Sequence, residues 1–393
     1  MPRALLRLVA SALAAWTVAD RAWAQGPETI RVATFNASLN RPEPGGLVRD
    51  LGSTDDPQAR AVAEVIRRVR PDVLLVNEFD FDPEGRAADL FRRNYLESPR
   101  GATEPLRYEF AYVPEVNTGV PSGADLDSDG RVVVEPGSRG YGNDAIGYGE
   151  FPGQYGMVVY SRFPIEEEGV RSFREVLWKD MPGALLPTRE DGSPWYSPEA
   201  LAVLRLSSKT HVDVPIRIGD SELHLLASHP TPPAFDGPER RNARRNHDEI
   251  RLWADYLSGG PAASYLVPGG QAPEPPERFV ILGDLNADPL DGSSLPGAID
   301  RLLDHPRVDA SFVPTGAGAA EAARLQGGIN AEHRGDPSRD TADFDDDRVG
   351  NLRVDYVLPS RGLTVSGGGV FWPTAGPTAD SDHRLVFLDV DWP

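Results

Sequence analysis

Apolar residues gather in short runs that mostly stop at Gly, Pro, Asp or Asn. Nine of these runs predict β-strands: Ile30–Phe35, Val73–Val76, Tyr108–Val113, Tyr155–Tyr160, Val212–Ile218, Glu222–Ala227, Phe279–Leu282, Leu352–Leu358 and Leu385–Val390. Several are rich in Val, Ile and Tyr, which suit a pleated, half-buried surface. Two stretches follow the helical period instead. Asp56-Pro57 starts one helix, with Ala59, Val62, Ala63, Ile66 and Val69 on one face. A second starts at Asp236 to Glu239, turns Ile250, Trp253, Ala254 and Leu257 inward, and ends near Gly259-Gly260. Strands and helices mixed along one pattern predict an α/β fold in a single layered domain, residues 25–393. Between the runs lie stretches rich in Gly, Pro, Asp and Ser, at about 114–150, 172–200, 260–277 and 313–347. Loops this long are expected to be surface insertions that shape a site.

The stretch Gly283-Asp-Leu-Asn-Ala-Asp-Pro289 follows the apolar run 279–282. Strand alternation would put Asp284 and Asn286 on one side and Leu285 on the other, and Pro289 stops the ladder. Gly, Asp, Asn and Pro also make ordinary turns, so this motif alone decides little. The same event recurs, however. Asn36, Glu78 and His229 end three other runs, Asp355 lies within a fourth, and Asp382-His383 precede the last. Ligand-binding and catalytic groups in α/β sheets collect at strand ends.

Composition narrows the chemistry. Residues 1–24 carry Arg3 and Arg7, an apolar stretch Leu8 to Ala19, and Ala22-Trp23-Ala24. This reads as a secretory signal peptide, too short to span a bilayer, and predicts a secreted or periplasmic product. No later stretch is apolar enough to span a membrane. The chain has no cysteine, which excludes thiolate zinc sites and cysteine nucleophiles. Sixty acidic residues face 40 basic ones, a net charge of −20. Such a surface is not the footprint of tight nucleic-acid binding, but it supplies carboxylates for hard cations.

Asn36, Glu78, His229, the Asp284-x-Asn286 pair, Asp355 and Ser381-Asp382-His383 occur in an order that resembles the endonuclease/exonuclease/phosphatase superfamily. "QYGMVVYSR" at 154–162 is similar to that family's G-x-A-I-L-S-R strand, and the resemblance runs over about residues 28–392. It implies the deoxyribonuclease-I-like fold, a four-layer α/β/β/α sandwich. It also implies roles for the site residues. Glu78 would bind Mg2+ or Mn2+, with Asn36 and Asp382 beside it. His383 would be the general base, oriented by Asp355, while Asp284 and Asn286 position the attacking water and a phosphate oxygen. His229 would contact a non-bridging oxygen or protonate the leaving group. The implied function is metal-dependent hydrolysis of phosphodiester bonds, as in a nuclease or phosphodiesterase. A phosphomonoesterase acting on small phosphorylated molecules is the alternative, and a non-catalytic binding module on the same fold is the second.

Three weaker features remain. Arg240, Arg241, Arg244 and Arg245 follow His229 and read either as a polyanion-holding patch or as a solvated charged face. Asp125, Asp127, Asp129 and Gly130 begin like a calcium loop, although Glu135 falls one position early. "FDDDRVGN" at 344–351 reads as a solvated acidic loop. No protein partner is evident beyond a phosphate-ester substrate.

Overall fold

The computed structural model describes residues 27–99, 103–267, 272–374 and 379–393, so the leader expected at 1–24 lies outside them. The apolar runs form two β-sheets. In spatial order the first contains β12 (Thr364–Val370), β13 (Val386–Asp391), β1 (Thr29–Asn36), β2 (Val73–Asn77), β4 (Met157–Ser161) and β3 (Phe110–Tyr112). The second contains β11 (Asp355–Pro359), β8 (Phe279–Asp284), β7 (Ser221–Ser228), β6 (His211–Ile218) and β5 (Arg171–Ser172). A two-stranded ribbon joins β9 (Ala342–Asp343) to β10 (Asn351–Leu352). The pairs β1–β2 and β7–β8 are parallel. Each therefore needs a crossover, and the two long helices supply them: α1 (Pro57–Val69) and α2 (Arg241–Ser258).

Alternation along the strands builds four layers. Ile30, Val32, Val73 and Leu75 of the first sheet meet Val214, Leu225, Val280 and Leu282 of the second in one core. The opposite faces turn outward. Phe35, Leu74 and Val76 pack on Val62, Ala63 and Ile66 of α1, whereas Leu226, Phe279 and Ile281 pack on Ile250, Trp253 and Tyr256 of α2. The chain is thus an α/β/β/α sandwich. Each such buried side chain contributes about 1.5–3 kcal/mol, and a one-residue slip would turn a whole strand inside out. The register is therefore locked, and with it the direction of every polar residue at a strand end.

Several details depart from the sequence expectation. Helix α1 starts as expected, with Pro57 in its first turn and Asp56 accepting Ala59 N at 2.7 Å. Helix α2 starts later, at Arg241, because Arg240 adopts a left-handed conformation. Asp236 still caps it from upstream, accepting Asn242 N and Ala243 N. Strand β4 begins at Met157 because Tyr155 has φ 58°. The run at 352–358 splits into β10 and β11 where Val354 N and Asp355 N donate to Thr341 Oγ1. β12 escaped notice because its centre is Gly367-Gly368-Gly369. The long insertions are only partly superficial. Trp178, Met181 and Tyr196 join the core under α2, and a helix, Ala317–Gln326, lies within 313–347. Among the described residues, no helix is long and apolar enough to cross a membrane.

Gly283, ahead of the site at the end of β8, has φ 141°, and a Cβ there would stand 1.9 Å from Ser228 O of β7. Gly283→Ala is expected to lower unfolding stability by at least about 2 kcal/mol, the scale of a strained backbone plus a core clash. A denaturant midpoint equal to wild type would contradict this packing.

Candidate active site

The inward-facing columns run from apolar residues to a polar end. Val280 and Leu282 lead to Asp284, Leu225 and Ala227 lead to His229 just beyond β7, and Ile30, Val32 and the buried Thr34 lead to Asn36. Asp355 opens β11 directly opposite Asp284 in the ladder. Alternation therefore delivers these polar groups into the space between the sheets, where the apolar interface ends. There they meet. Asn36 Nδ2 donates to Glu78 Oε1 at 3.2 Å and to Asp284 Oδ2 at 3.1 Å. His229 Nε2 lies 3.2 Å from the same Asp284 oxygen, and His383 Nε2 lies 3.6 Å from it. His383 Nδ1 is 2.9 Å from Asp355 Oδ2, which also accepts Thr341 Oγ1 at 2.8 Å. Asp382 is half-exposed, its Oδ1 3.9 Å from His383 Nε2.

Of these, Glu78, His229, Asp284, Asp382 and His383 line a cleft of about 890 Å³, whose walls include Leu126 and Tyr148 from one insertion and Phe344 from another. Five of its lining residues, Ser38, Glu78, Tyr155, Phe235 and Asn286, have positive φ without being glycine. Backbone strain of that kind collects at functional sites.

The family model described as Endonuclease/Exonuclease/phosphatase family matches residues 33–383. The chain belongs to the endonuclease/exonuclease/phosphatase family. It is therefore a hydrolase of a family whose members act on phosphate esters. No curated protein matches the sequence. Similar solved structures include an endonuclease/exonuclease/phosphatase from Beutenbergia cavernae DSM 12333, at 18% identity, covering 93% of this chain and 72% of that one, TM-score 0.49. Another is sphingomyelinase C from Streptomyces griseocarneus, at 16% identity, covering 92% of this chain and 99% of that one, TM-score 0.43.

The electrostatics of this endonuclease/exonuclease/phosphatase site follow from burial and neighbours. Burial alone would raise Asp284, but His383 and His229 beside it, with hydrogen bonds from His229 and Asn36, hold it well below the usual carboxylate range. Burial pulls His383 down, yet the carboxylates of Asp355 and Asp284 outweigh it and raise it to about 10. Burial raises Asp355, to about 6. At neutral pH, without a cation, the proton thus sits on His383. His229 is pushed down by burial and by Lys209, which keeps it neutral. Its Nε2–H then donates to Asp284, and its buried Nδ1 has no partner. In this state His229 orients Asp284, and acting as a proton donor would first require it to gain a proton.

The residues fit a hard divalent cation. Glu78 and Asp382 both line the cleft, Asp284, Asp355 and His383 bring ligand atoms within 4.8 Å of one another, and Asp355 Oδ1 is buried without a partner. All but one of these donors are oxygens, the set that magnesium and calcium take. Asn36 turns its amide hydrogens, rather than its oxygen, between Glu78 and Asp284.

Other expectations change. Asn286 lies beyond the end of β8 in a left-handed turn, so strand alternation does not place it. Its N donates to Asp284 Oδ1 and its Nδ2 to Pro230 O. The arginine cluster divides. Arg240 donates to Ser293 O and Arg244 to Glu239 O, and neither lines the cleft. Arg241 and Arg245 do line it, Arg241 donating to Leu126 O and buried Arg245 to three carbonyls. In the aspartate loop, Asp144 replaces Asp129 as the third close carboxylate beside Asp125 and Asp127.

The sequence reading also missed contributors. Asn40 Nδ2 donates to Glu78 Oε2 at 2.9 Å. Asn77, one residue before Glu78, accepts Asp284 N across the sheets at 3.3 Å. Glu249 of α2 accepts Ser208 N and Thr231 N, pinning the segments beside Lys209 and His229. The helical spacing shows only that Glu249 adjoins the apolar face. Nothing local marks it as an anchor.

Because His383 is raised in the fold, its proton contributes stability that is complete below its unfolded value near 6.5 and is lost as pH rises through about 10. In chelator, Tm should therefore fall between pH 7 and 10 for wild type, and His383→Gln should lack most of that fall. Thermal melts across that range check it; parallel curves would mean that His383 is not held charged.

Proposed function

We propose that this chain is an exported, metal-dependent phosphoesterase that cleaves phosphodiester bonds by attack of a water activated at His383. The observation that carries the reading is the convergence of the Asp355–His383 pair, Asp284 and Glu78 at one end of the inter-sheet space. Glu78 and Asp382 are the residues that would hold Mg2+ or Mn2+. A cation bound there supplies neutralisation of phosphoryl charge.

The chain's own groups do the rest. Asp355 accepts His383 Nδ1–H, which fixes the ring and leaves Nε2 to take the water's proton. The active imidazole is neutral, so the rate should rise with pH until His383 has lost its proton. Asp284, held ionised, orients the water, and Asn286 keeps Asp284 in place through its backbone N. The leader read at 1–24 supports a secreted or periplasmic location.

A second reading, a phosphomonoesterase on small phosphorylated molecules, is favoured by one observation. The cleft, at about 890 Å³ and walled by insertions, lies in the range of small-ligand sites, and the arginines expected to grip a long polyanion are tied to carbonyls. The non-catalytic alternative predicts no turnover at all. A structural calcium ion on Asp125, Asp127 and Asp144 belongs to the same proposal, because these carboxylates repel one another without one.

Calcium should raise the Tm of wild type, and Asp127→Ala should abolish most of that rise without changing the magnesium-dependent rate. Equal shifts in both proteins would reduce the loop to a solvated turn. For the main reading, release is measured with magnesium on plasmid DNA, bis-p-nitrophenyl phosphate, p-nitrophenyl phosphate and phytate. His383→Ala should lower the rate by about two to four orders of magnitude. Glu78→Gln should raise the magnesium needed for half-maximal rate, and EDTA should silence wild type reversibly. Full activity in chelator, or in His383→Ala, would defeat the mechanism.

A further inference from the structure

Of the 40 basic residues in the chain, only two are lysines, Lys179 and Lys209. Lys179 sits at the surface against Asp180 at 2.8 Å. Lys209 is 8% exposed and lines the cleft with Glu78, His229 and Asp284. Among the described residues, none makes a hydrogen bond or ion pair with its Nζ. The acids around it are engaged elsewhere. Glu249 accepts Ser208 N at 2.6 Å, Ser208 Oγ at 2.8 Å and Thr231 N at 2.6 Å. Glu78 accepts from Asn36 and Asn40. Asp284 accepts from Asn36 and Asn286, with His229 alongside.

An ammonium left in a desolvated place without a contact acceptor is costly, and proteins seldom keep one without a use. The backbone that carries it is held rigidly. Lys209 O accepts Asn117 N at 2.8 Å, and Gly147 backs so closely onto Ser208 that a Cβ there would meet Ser208 O at 1.7 Å. A fixed, unmet positive charge aimed into a cleft is preorganised for an anion. The residue type matters too. Arginine's planar fork suits paired oxygens, whereas an ammonium is a compact point charge with three rotatable donors, suited to one corner of a tetrahedral oxyanion.

From these observations we infer that Lys209 is the phosphate-binding residue of the cleft, its ammonium taking a non-bridging oxygen of the substrate's phosphoryl group. The inference rests on the phosphoesterase reading and names a residue that reading does not use. It also fits the neutral His229: the Lys209 ammonium in the same cleft adds to burial in keeping that imidazole uncharged, leaving His229 to steady Asp284.

The test uses the scarcity of lysine. Isotope-labelled lysine should give two side-chain NMR signals, assigned by Lys179→Arg. Inorganic phosphate added to the magnesium-loaded protein should shift the Lys209 signal and leave that of Lys179. Lys209→Met should raise the phosphate dissociation constant roughly 10- to 100-fold, the loss of a charge-assisted hydrogen bond, and remove the phosphate-induced rise in Tm. Its Tm without phosphate should equal or exceed that of wild type, because an unpaired buried charge has gone. Lys209→Arg should retain phosphate binding in part. A Lys209 signal indifferent to phosphate overturns the inference even if Lys209→Met fails to fold. So does a folded Lys209→Met with wild-type phosphate affinity and a lowered Tm, which would make Lys209 a structural counter-charge to Glu249. None of these readouts needs turnover. If phosphate binding depends on Lys209 but wild type cleaves no substrate, the phosphoesterase reading fails and the anion site stands. If turnover is intact and indifferent to Lys209→Met, the reverse holds.

Discussion

The site depends on one buried carboxylate, Asp284. It stands where the apolar interface between the sheets runs out, and groups from both sheets converge on it: Asn36 from β1, His229 from beyond β7, His383 from before β13 and Asn286 N from its own turn. Burying a carboxylate is costly unless its lone pairs are filled and opposite charge is near. Here both conditions hold, and the acid stays ionised. Any relaxation of the sheets against each other would leave that charge short of partners. The polar end of the interface is therefore as register-locked as the apolar part. Asn77 adds a direct tether by accepting Asp284 N across the gap.

Around this carboxylate the backbone is strained at several points. Glu78, Tyr155 and Asn286 all sit in left-handed conformations, each of which costs a non-glycine residue of order 1–3 kcal/mol. Asp80 shows how the strain is held, accepting Arg41 N at 2.8 Å and Tyr155 N at 3.1 Å from either side of the Glu78 turn. Burial raises this acid to about 7, a sign of how dry the support beneath Glu78 is. A turn built this way aims Glu78 away from the direction the preceding strand would dictate.

The second support is the buried side of α2. Glu249, Asp248 and Arg245 lie on a helix face that would ordinarily be apolar, and each is satisfied by loops. Glu249 takes Ser208 and Thr231, Asp248 takes Trp178 Nε1 and Leu185 N, and Arg245 takes three carbonyls. The long insertions are thereby stitched to the helix that packs on the second sheet. A cleft wall made of irregular chain can be rigid when its backbone ends on buried charged side chains.

The sequence by itself determined the α/β class and the polar groups that gather at the strand ends, because both follow from short-range pattern. Alternation in runs such as Val280-Ile-Leu282 is a local property, and it dictates which way Asp284 faces once the apolar side is buried. The identities of Asn36, Glu78, His229, Asp355 and His383 were legible for the same reason: polar groups at strand ends stand out against the runs before them. What the tertiary structure alone decided is partnership. No spacing along the chain reveals that Asp144 rather than Asp129 completes the aspartate group, or that Arg240 and Arg244 end on carbonyls. The same holds for the distant residues that leave Lys209 without an acceptor. These outcomes depend on which loops meet in space, and contacts between segments tens of residues apart leave no periodic trace. The glycine-centred β12 was hidden in the opposite sense, paired to β13 through its backbone while its side chains carry almost no pattern to read.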